Sequence, residues 1–410
     1  MAIQNPNSLP PVLPSQPDNS RLCKMGIGSL VLSVLGIMSF GVTAIFGIIF
    51  GHVAHSRIKK SNGMLRGKFY AVTALILGYG FVAMNAFVLY NIVNHVKKSP
   101  NEKFTLSTSH PPVFRNYQTA GQSTTIDGIT VYQFQTAGSK PGERMQLRVY
   151  LPAGSDTAKP HSLPCVLVAP AGTNLLSGAS LGPLDDTAYH DEALPYAKSG
   201  LVTVLYSIDG AEEDFEVELE GRDADSREMA LMERQYDAFK DAKAGLLNSR
   251  NALEFVLSQL PMVDDTEIYA AGHSSAGTLA LLFAMHEPRL AGCLAYAPCV
   301  DVTAFHEEII NEPFVSIILP GVKTFLQRSS PITHVDQLGC PLFFFHAADD
   351  GIVTRESIQP FITKAQSLPN GPEVTVELPD SGDHYYSMID QGIPSGIEWI
   401  QSRVKTEERK

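Results

Sequence analysis

Two long apolar segments near the amino terminus are the strongest feature of the hydrophobic pattern. Residues 25–51 and 69–96 contain no Asp, Glu, Lys or Arg, and each is longer than the roughly 20 apolar residues that cross a bilayer as a helix. A secretory signal peptide would have an apolar core of only about 7 to 15 residues, and it would not be repeated. The pattern predicts two transmembrane helices in a lipid bilayer, with buried helices of a soluble protein as the alternative.

Small residues recur at a spacing of four in both segments, including Gly47 and Gly51 in the first and Ala74 and Gly78 in the second. This spacing allows two membrane helices to approach closely. We therefore predict that the two spans form a tight hairpin.

The basic residues around the spans bear on orientation. The connecting residues 52–68 include five Lys or Arg and no acid, and short basic loops tend to stay in the cytoplasm. The flanking residues 21–24 and 97–103 also carry five Lys or Arg together, at lower density. The density predicts that the rest of the chain lies on the exoplasmic or periplasmic side, with the cytoplasm as the alternative.

Residues 51–60, with the sequence Gly-His-Val-Ala-His-Ser-Arg-Ile-Lys-Lys, and residues 74–79, Ala-Leu-Ile-Leu-Gly-Tyr, carry a resemblance to a known domain. The region from about residue 23 to 95 resembles a small bacterial two-helix membrane domain of unknown function, found at the amino termini of anchored proteins. The resemblance implies anchoring and no chemistry.

Polar segments delimit these parts of the chain. Residues 1–22 are rich in Pro, Asn, Ser and Gln and lack a periodic apolar pattern, which predicts a disordered tail before the hairpin at 23–96. Residues 97–117 are polar and contain three prolines, which predicts a linker. One globular domain is expected over residues 118–410.

Within that domain, short β-branched runs alternate with helical stretches, which is typical of an α/β protein with a mostly parallel sheet flanked by helices. We predict eight strands, at residues 131–135, 146–151, 165–169, 202–206, 267–271, 292–297, 342–346 and 374–378. We predict helices at residues 191–198, 226–259, 275–285, 355–367 and 395–404. Residues 302–329, called the insertion below, form either a lid that shapes a substrate pocket or a plain amphipathic surface helix.

Charge and cysteine content narrow the function. The formal net charge is -12 although the membrane region is basic, so nucleic acid is not expected as a partner. The cysteines of the large domain show no C-x-x-C spacing, which argues against a zinc cluster and leaves disulfide pairing open. These residues are Cys165, Cys293, Cys299 and Cys340.

The strongest chemical signal lies at residues 267–283, where an apolar strand, a turn of small residues and an apolar helix follow one another. Gly272-His-Ser-Ser-Ala-Gly277 fits the G-x-S-x-G nucleophile elbow with Ala in the last glycine position. The elbow projects a hydroxyl from a sharp turn, and the new helix points its N–H groups at the reacting centre. We predict that Ser274 is a nucleophile.

Two alternatives to this interpretation are open. Ser275 would be a poorer nucleophile, because His273 would then occupy a position that needs a small residue. A glycine-rich turn between a strand and a helix also binds phosphates or dinucleotides, but those sites follow the first strand and carry G-x-G-x-x-G.

An acid and a histidine follow the serine in the order that this elbow requires. Asp350 ends a buried strand run, and the carboxyl ends of parallel strands face one edge of the sheet. His384 lies in a loop between the last strand run and the last helix. Each alone is also explained as a solvated turn or a surface histidine, but together they predict a triad of Ser274, Asp350 and His384.

The run His346-Ala-Ala-Asp-Asp350-Gly-Ile-Val353 is similar to the H-G-x-x-D-x-x-V pattern of a known branch of hydrolases, with Ala347 in place of Gly. From about residue 126 to 404 the chain resembles an α/β hydrolase of the prolyl oligopeptidase and dienelactone hydrolase branch. The resemblance implies the α/β-hydrolase fold and a serine hydrolase, with Asp350 in the acidic position.

The same families take a second oxyanion contact from the loop after the third strand, which here reads Val168-Ala-Pro-Ala-Gly-Thr-Asn174 instead of the commoner H-G-G. We expect the backbone N–H groups of Thr173 and Ser275 to hold the oxyanion, and a plain tight turn is the alternative. The reaction expected is hydrolysis of an ester, thioester or amide through an acyl-enzyme. It requires no metal and no organic cofactor.

The sequence leaves the substrate open, between small-molecule, acyl and peptidyl compounds. A carboxylesterase is the expectation, and the apolar insertion suggests acyl or lipid-like substrates. A prolyl oligopeptidase-like peptidase and a catalytically silent binding module are the alternatives. A transporter is disfavoured, because only two spans are predicted and neither carries an intramembrane charge.

Overall fold

The computed structural model describes residues 21–35, 42–96, 104–106, 113–140, 143–185, 188–215, 218–221, 223–312 and 315–404. The chain divides into two compact units, Met1–Lys98 and Ser99–Lys410. The predicted tail lies outside the described residues as far as residue 20.

The described residues of the amino-terminal unit form three helices and a small parallel sheet. The strands are β1 (Arg21–Leu22) and β2 (Leu65–Arg66), and the helices are α1 (Lys24–Leu35), α2 (Val42–Lys60) and α3 (Lys68–Val96). Helix α2 continues through most of the basic segment that we expected to be a loop. Its last turn ends in Arg57, Lys59 and Lys60, so cations lie at the negative end of the helix dipole.

The predicted two-helix hairpin is not confirmed. Among the described residues, Lys68–Phe87 is the helix that is long and apolar enough to cross a membrane. The described residues of the first predicted span, 25–51, lie in α1 and α2, and residues 36–41 lie outside the described part.

Small residues lie where the helices of this unit approach each other closely. A Cβ atom added to Gly47 would lie 2.3 Å from Ser33 Oγ of α1, and one added to Gly78 would lie 2.5 Å from Ile48 Cγ1 of α2. Ser33 Oγ also donates to the carbonyl of Ala74, at 2.9 Å. The small-residue spacing therefore serves contacts of α2 with both α1 and α3.

The carboxy-terminal unit is built on a nine-stranded mixed sheet with the order β11-β10-β9-β8-β6-β7-β5-β4-β3. Strands β6 to β11 form the parallel part of the sheet. The antiparallel pairs are β3 with β4, β4 with β5, and β5 with β7. The strands are β3 (Gln122–Ile126), β4 (Ile129–Ala137), β5 (Arg144–Leu151), β6 (Leu163–Val168), β7 (Val202–Tyr206), β8 (Val263–His273), β9 (Gly292–Tyr296), β10 (Leu342–Phe345) and β11 (Val374–Glu377).

All eight predicted strands are present, and the edge strand β3 is an addition. Strand β3 is polar and mostly exposed, so it lacks the apolar alternation on which the prediction rested. It joins β4 through Asp127 and Gly128, which have φ values of 51° and 81°. An Asp-Gly pair with two positive φ angles is a hairpin turn that the sequence does signal.

Helices cover both faces of the sheet. They are α4 (Tyr117–Ala120), α5 (His190–Lys198), α6 (Ala224–Asp241), α7 (Leu246–Gln259), α8 (Ser275–His286), α9 (Val302–Phe305), α10 (Glu307–Ile310), α11 (Val315–Ile318), α12 (Val322–Arg328), α13 (Pro331–His334), α14 (Arg355–Gln366) and α15 (Ile393–Arg403). The single helix predicted over 226–259 is wrong. Lys243, Ala244 and Gly245 have φ values of 57°, 58° and 82°, and such residues cannot continue a right-handed helix.

Two hydrophobic clusters flank the sheet, and strand β6 contributes to both. Cys165 and Leu167 pack into the cluster that includes α7 and α8, whereas Val166 and Val168 pack into the cluster that includes α5 and α15. This alternation follows from the two-residue period of a strand. All five cysteines of the chain are buried free thiols, which settles the pairing that the sequence left open.

Part of the predicted linker packs onto this unit. Phe104 and Leu106 are buried and belong to one of the two clusters. Arg250 Nη1 donates to the carbonyl of Leu106 at 2.5 Å, and the Arg328 guanidinium lies 4.6 Å from the centre of the Phe104 ring. The polar composition of residues 97–117 concealed these anchoring side chains.

The insertion consists of the four short helices α9 to α12, with residues 313–314 outside the described part. One plain amphipathic surface helix is therefore the wrong alternative. The insertion is fixed to the core by buried side chains such as Val302, Leu319 and Leu326.

Arg148 of β5 is 0% exposed and organises the long segment after β6. Its guanidinium donates to the carbonyls of Leu181, Pro183 and Ala188 at 2.9, 3.0 and 3.2 Å, and its Nε donates to Gln133 Oε1 at 2.6 Å. A buried cation that is satisfied in this way cross-links the segment to the sheet.

Replacing Arg148 with Met is expected to lower the free energy of unfolding by about 3 kcal/mol, because several buried carbonyls lose their donor. Urea unfolding of the detergent-solubilised chain, followed by the fluorescence of the single tryptophan, Trp399, measures this loss. Arg144→Met, at an exposed site, is the control and is expected to change stability by less than about 0.5 kcal/mol. Equal stability of the two variants would contradict the prediction.

Candidate active site

Ser274 occupies the sharp turn between β8 and α8. Its φ and ψ angles are 54° and -119°, a region that costs a residue other than glycine roughly 1–3 kcal/mol and is found at functional sites. Its backbone N–H donates to the carbonyl of Tyr296 in β9, at 2.8 Å. The turn is thus held in the strained geometry that a nucleophile elbow needs.

The glycines around Ser274 are required by the close approach of strand and helix. A Cβ atom on Gly272 would lie 2.4 Å from the backbone of Ala276, and one on Gly277 would lie 2.9 Å from the carbonyl oxygen of Gly272. Ala276 itself is fully buried. The alanine in the last position of the motif is therefore compatible with the turn.

Asp350 and His384 form a hydrogen-bonded pair on the loops that follow β10 and β11. His384 Nδ1 lies 2.7 Å from Asp350 Oδ2, with the Asp350 side chain 1% exposed and the His384 side chain 18% exposed. The other carboxylate oxygen accepts from the N–H groups of Ile352 and Val353, at 2.8 and 2.9 Å.

The electrostatics of this pair favour an ionised carboxylate. Burial alone would raise the pKa of Asp350, but the hydrogen bonds from His384 and from two backbone N–H groups hold that pKa below its ordinary value. Since the carboxylate accepts from Nδ1, the Nε2 atom of a neutral His384 is the nitrogen that accepts a proton.

His273 links the elbow to the pair, and the sequence did not reveal this role. Its side chain is buried, its Nε2–H donates to the carbonyl of His384 at 2.8 Å, and the two ring centres lie 4.6 Å apart. Burial, with the neighbouring His384, lowers the pKa of His273 to about 4. His273 therefore holds the His384 backbone as a neutral side chain.

Asp349 and Asp383 also shape the loop that carries His384. The Asp349 carboxylate accepts from the N–H groups of Gly382 and Asp383, at 3.3 and 3.0 Å. Asp383 Oδ1 in turn accepts from the N–H of Tyr385 at 2.8 Å. Neither contact had a local sequence signal beyond the frequency of Asp in turns.

The structure brings Thr173 and Ser275 together. The Thr173 N–H donates to Ser275 Oγ, at 3.0 Å, so the backbone donor expected in an oxyanion hole is held by a hydroxyl in the free protein. Ser275 is the first residue of α8, where backbone N–H groups have no partner within the helix.

A cavity of about 380 Å³ adjoins the Asp350 turn. Its lining combines that turn with the start of the insertion and the loop after β9, and it is mainly apolar but includes the acidic residues Asp301 and Glu356. The lining includes Cys299, Val300, Ala304, Phe305, Ile352 and Val353. The volume is in the range of sites for small ligands.

The mixed sheet, the strained serine between β8 and α8, and the acid and histidine pair on later loops together define the α/β-hydrolase fold. Residues 245–391 match the model of the prolyl oligopeptidase family, and this range contains all three residues. The match supports a serine hydrolase. Residues 25–89 match a domain of unknown function (DUF4190).

Solved structures of several hydrolases are similar to this chain. Acetyl xylan esterase from Paenibacillus sp. R4 is 19% identical, with a TM-score of 0.48, over 69% of this chain and 88% of the esterase. Acylaminoacyl peptidase from Pyrococcus horikoshii is 15% identical, with a TM-score of 0.49, over 69% of this chain and 43% of the peptidase. S-formylglutathione hydrolase from Agrobacterium tumefaciens is 17% identical, with a TM-score of 0.48, over 69% of this chain and 99% of the hydrolase. The comparison with curated proteins gives no match.

Proposed function

We propose that the chain is a carboxylesterase that works through an acyl-enzyme on Ser274, with His384 as the general base and Asp350 as its acidic partner. The observations that carry this proposal are the 2.7 Å hydrogen bond between His384 Nδ1 and Asp350 and the φ of 54° at Ser274. His273 connects the two parts through its hydrogen bond to the His384 carbonyl.

In the proposed reaction, His384 Nε2 removes the proton of Ser274 as the hydroxyl attacks the ester carbonyl, and it then protonates the leaving alcohol. Water repeats the cycle on the acyl-enzyme and releases the acid. The developing oxyanion accepts from the N–H groups of Ser275 and Thr173, and it replaces the Ser275 hydroxyl as acceptor at Thr173.

The cavity beside the Asp350 turn is mainly apolar, with Asp301 and Glu356 in its lining, which favours an uncharged group over an anionic one as part of the substrate. An ester is the substrate we favour, and an acyl or lipid-like chain would suit the lining of the cavity. The prolyl oligopeptidase family match favours a peptidase as the second candidate.

The amino-terminal unit is proposed as a membrane anchor formed by residues 25–51 and 69–96, with the hydrolase domain on the exoplasmic or periplasmic side. Large apolar side chains on its helices are exposed, including Phe46, Ile49, Phe69, Ile76 and Phe87. A surface of this kind suits lipid better than water. We also propose that the amino-terminal tail ends at residue 22, the membrane anchor at residue 96 and the linker at residue 117.

The test is labelling of the detergent-solubilised full chain with a fluorophosphonate, followed by mass mapping of the modified peptide. We expect one phosphonyl group per chain, on Ser274, and no labelling after heat denaturation. A label on Ser275 would overturn the assignment, and a folded chain that does not label would favour the silent binding module. Rates with p-nitrophenyl acetate and with aminoacyl p-nitroanilides then separate esterase from peptidase.

A further inference from the structure

His306 connects the insertion to the segment that carries Thr173. It lies between α9 and α10, is 4% exposed, and its Nε2 atom is 2.7 Å from the carbonyl oxygen of Asn174. A carbonyl oxygen accepts, so Nε2 carries the hydrogen and Nδ1 is the unprotonated nitrogen of the neutral ring. Burial lowers the pKa of His306 below its ordinary value, which keeps this donor arrangement at neutral pH.

The segment that His306 holds has no regular secondary structure. Residues 169–174 lie between the end of β6 and the turn at 175–177, and Gly172 has a φ of 83°. The carbonyl of Ala171 accepts from the Tyr189 hydroxyl at 3.3 Å. The placement of each N–H here therefore depends on contacts with other parts of the fold.

Thr173 is held from both sides along the chain. Its own N–H donates to Ser275 Oγ at 3.0 Å, and the peptide group between Asn174 and Leu175, two peptide groups further along the chain, is held by the His306 contact. When a substrate oxygen replaces the Ser275 hydroxyl, the first of these contacts is lost. The His306 hydrogen bond then remains to fix the Asn174 carbonyl.

We propose that His306 is a positioning residue for the hydrolysis: by holding the Asn174 carbonyl it fixes the Thr173 N–H where the oxyanion develops. The inference rests on the proposed function. It assigns the insertion a role in transition-state stabilisation as well as in lining the cavity. A donor displaced by about 1 Å costs roughly 100-fold in rate.

The experiment compares His306→Ala, His306→Gln and His306→Asn in the full detergent-solubilised chain with p-nitrophenyl acetate. Gln places an amide N–H at the position of Nε2, whereas Asn ends one atom earlier. We expect kcat to fall about 10-fold to 100-fold in the Ala and Asn variants with KM within about threefold. The Gln variant is expected to recover to within about fivefold of the parent.

A trifluoromethyl ketone, which forms a tetrahedral adduct with an activated serine, provides a readout that a purely structural role would not move. Its inhibition constant should rise in proportion to the loss of kcat across the three variants. Parental kcat in all variants would overturn the proposal, and so would a change in KM alone. If His306→Ala does not fold, the contrast between Gln and Asn decides. Failure of the parent protein to label with fluorophosphonate would refute the proposed function itself. This outcome is distinct from a failure of the proposal for His306, which leaves labelling of the parent intact.

Discussion

Ser274→Ala is expected to lower kcat for p-nitrophenyl acetate by roughly 10⁶-fold, the loss typical of a nucleophile removed from an intact triad. The acyl-enzyme cannot form without the hydroxyl, and the hydrogen bond of the Ser274 backbone to Tyr296 is retained. Alanine tolerates a φ of 54° no better and no worse than serine. The variant should therefore fold like the parent, and its unfolding midpoint in urea measures this.

Ser275→Ala is the matched comparison for this variant. It removes the hydroxyl that accepts from the Thr173 N–H but keeps the backbone N–H of residue 275. We expect a loss of kcat of about 10-fold, because the Thr173 segment becomes less well ordered in the free protein. A nearly inactive Ser275→Ala beside an active Ser274→Ala would contradict the assignment of the nucleophile.

The elements that the sequence predicted correctly are those with strong local patterns. The apolar run that ends at Gly272 and the apolar helix that begins at Ser275 define the elbow within about 20 residues. The small residues of the turn were also predictable, because the close approach of strand and helix requires them. The eight strands with buried side chains were identified for the same reason, whereas the polar edge strand β3 was not.

Other features depend on contacts between distant parts of the chain. The side chains of His273 and His306 bond to carbonyls 111 and 132 residues away, and a histidine in a sequence does not indicate which carbonyl it will meet. Phe104 and Leu106 lie in a polar segment that gave no sign of burial. The break at Lys243, between α6 and α7, likewise has no proline or run of glycines to announce it.

The amino-terminal unit shows a different limit. Composition indicated where residues prefer apolar surroundings. The four-residue spacing of Gly47 and Gly51, and of Ala74 and Gly78, indicated close helix contacts, which the structure contains. Neither composition nor spacing determines how many helices cross the membrane. The two spans and their orientation therefore remain a proposal, supported by exposed apolar side chains and by one helix of sufficient length.

Asp350→Asn is expected to lower kcat by roughly 10³-fold to 10⁴-fold while the fold is maintained. The amide can still accept at Oδ1 from the N–H groups of Ile352 and Val353. It then presents an NH₂ group to His384 Nδ1, which favours the tautomer with the hydrogen on Nε2. That tautomer cannot take the proton of Ser274, and the imidazolium formed during the reaction also loses its negatively charged partner.

Variants of two nearby acids, Asp349 and Asp380, test whether the loss of kcat is specific to Asp350. Asp349→Asn keeps one acceptor for the loop at Gly382 and Asp383, so its loss of kcat should be about 10-fold at most. Asp380→Asn, at an exposed site, should leave kcat unchanged. Steady-state rates with p-nitrophenyl acetate and the rate of fluorophosphonate labelling are measured for all three variants. Losses of similar size in Asp349→Asn and Asp350→Asn would mean that the loop geometry, and not the charge beside His384, limits the reaction.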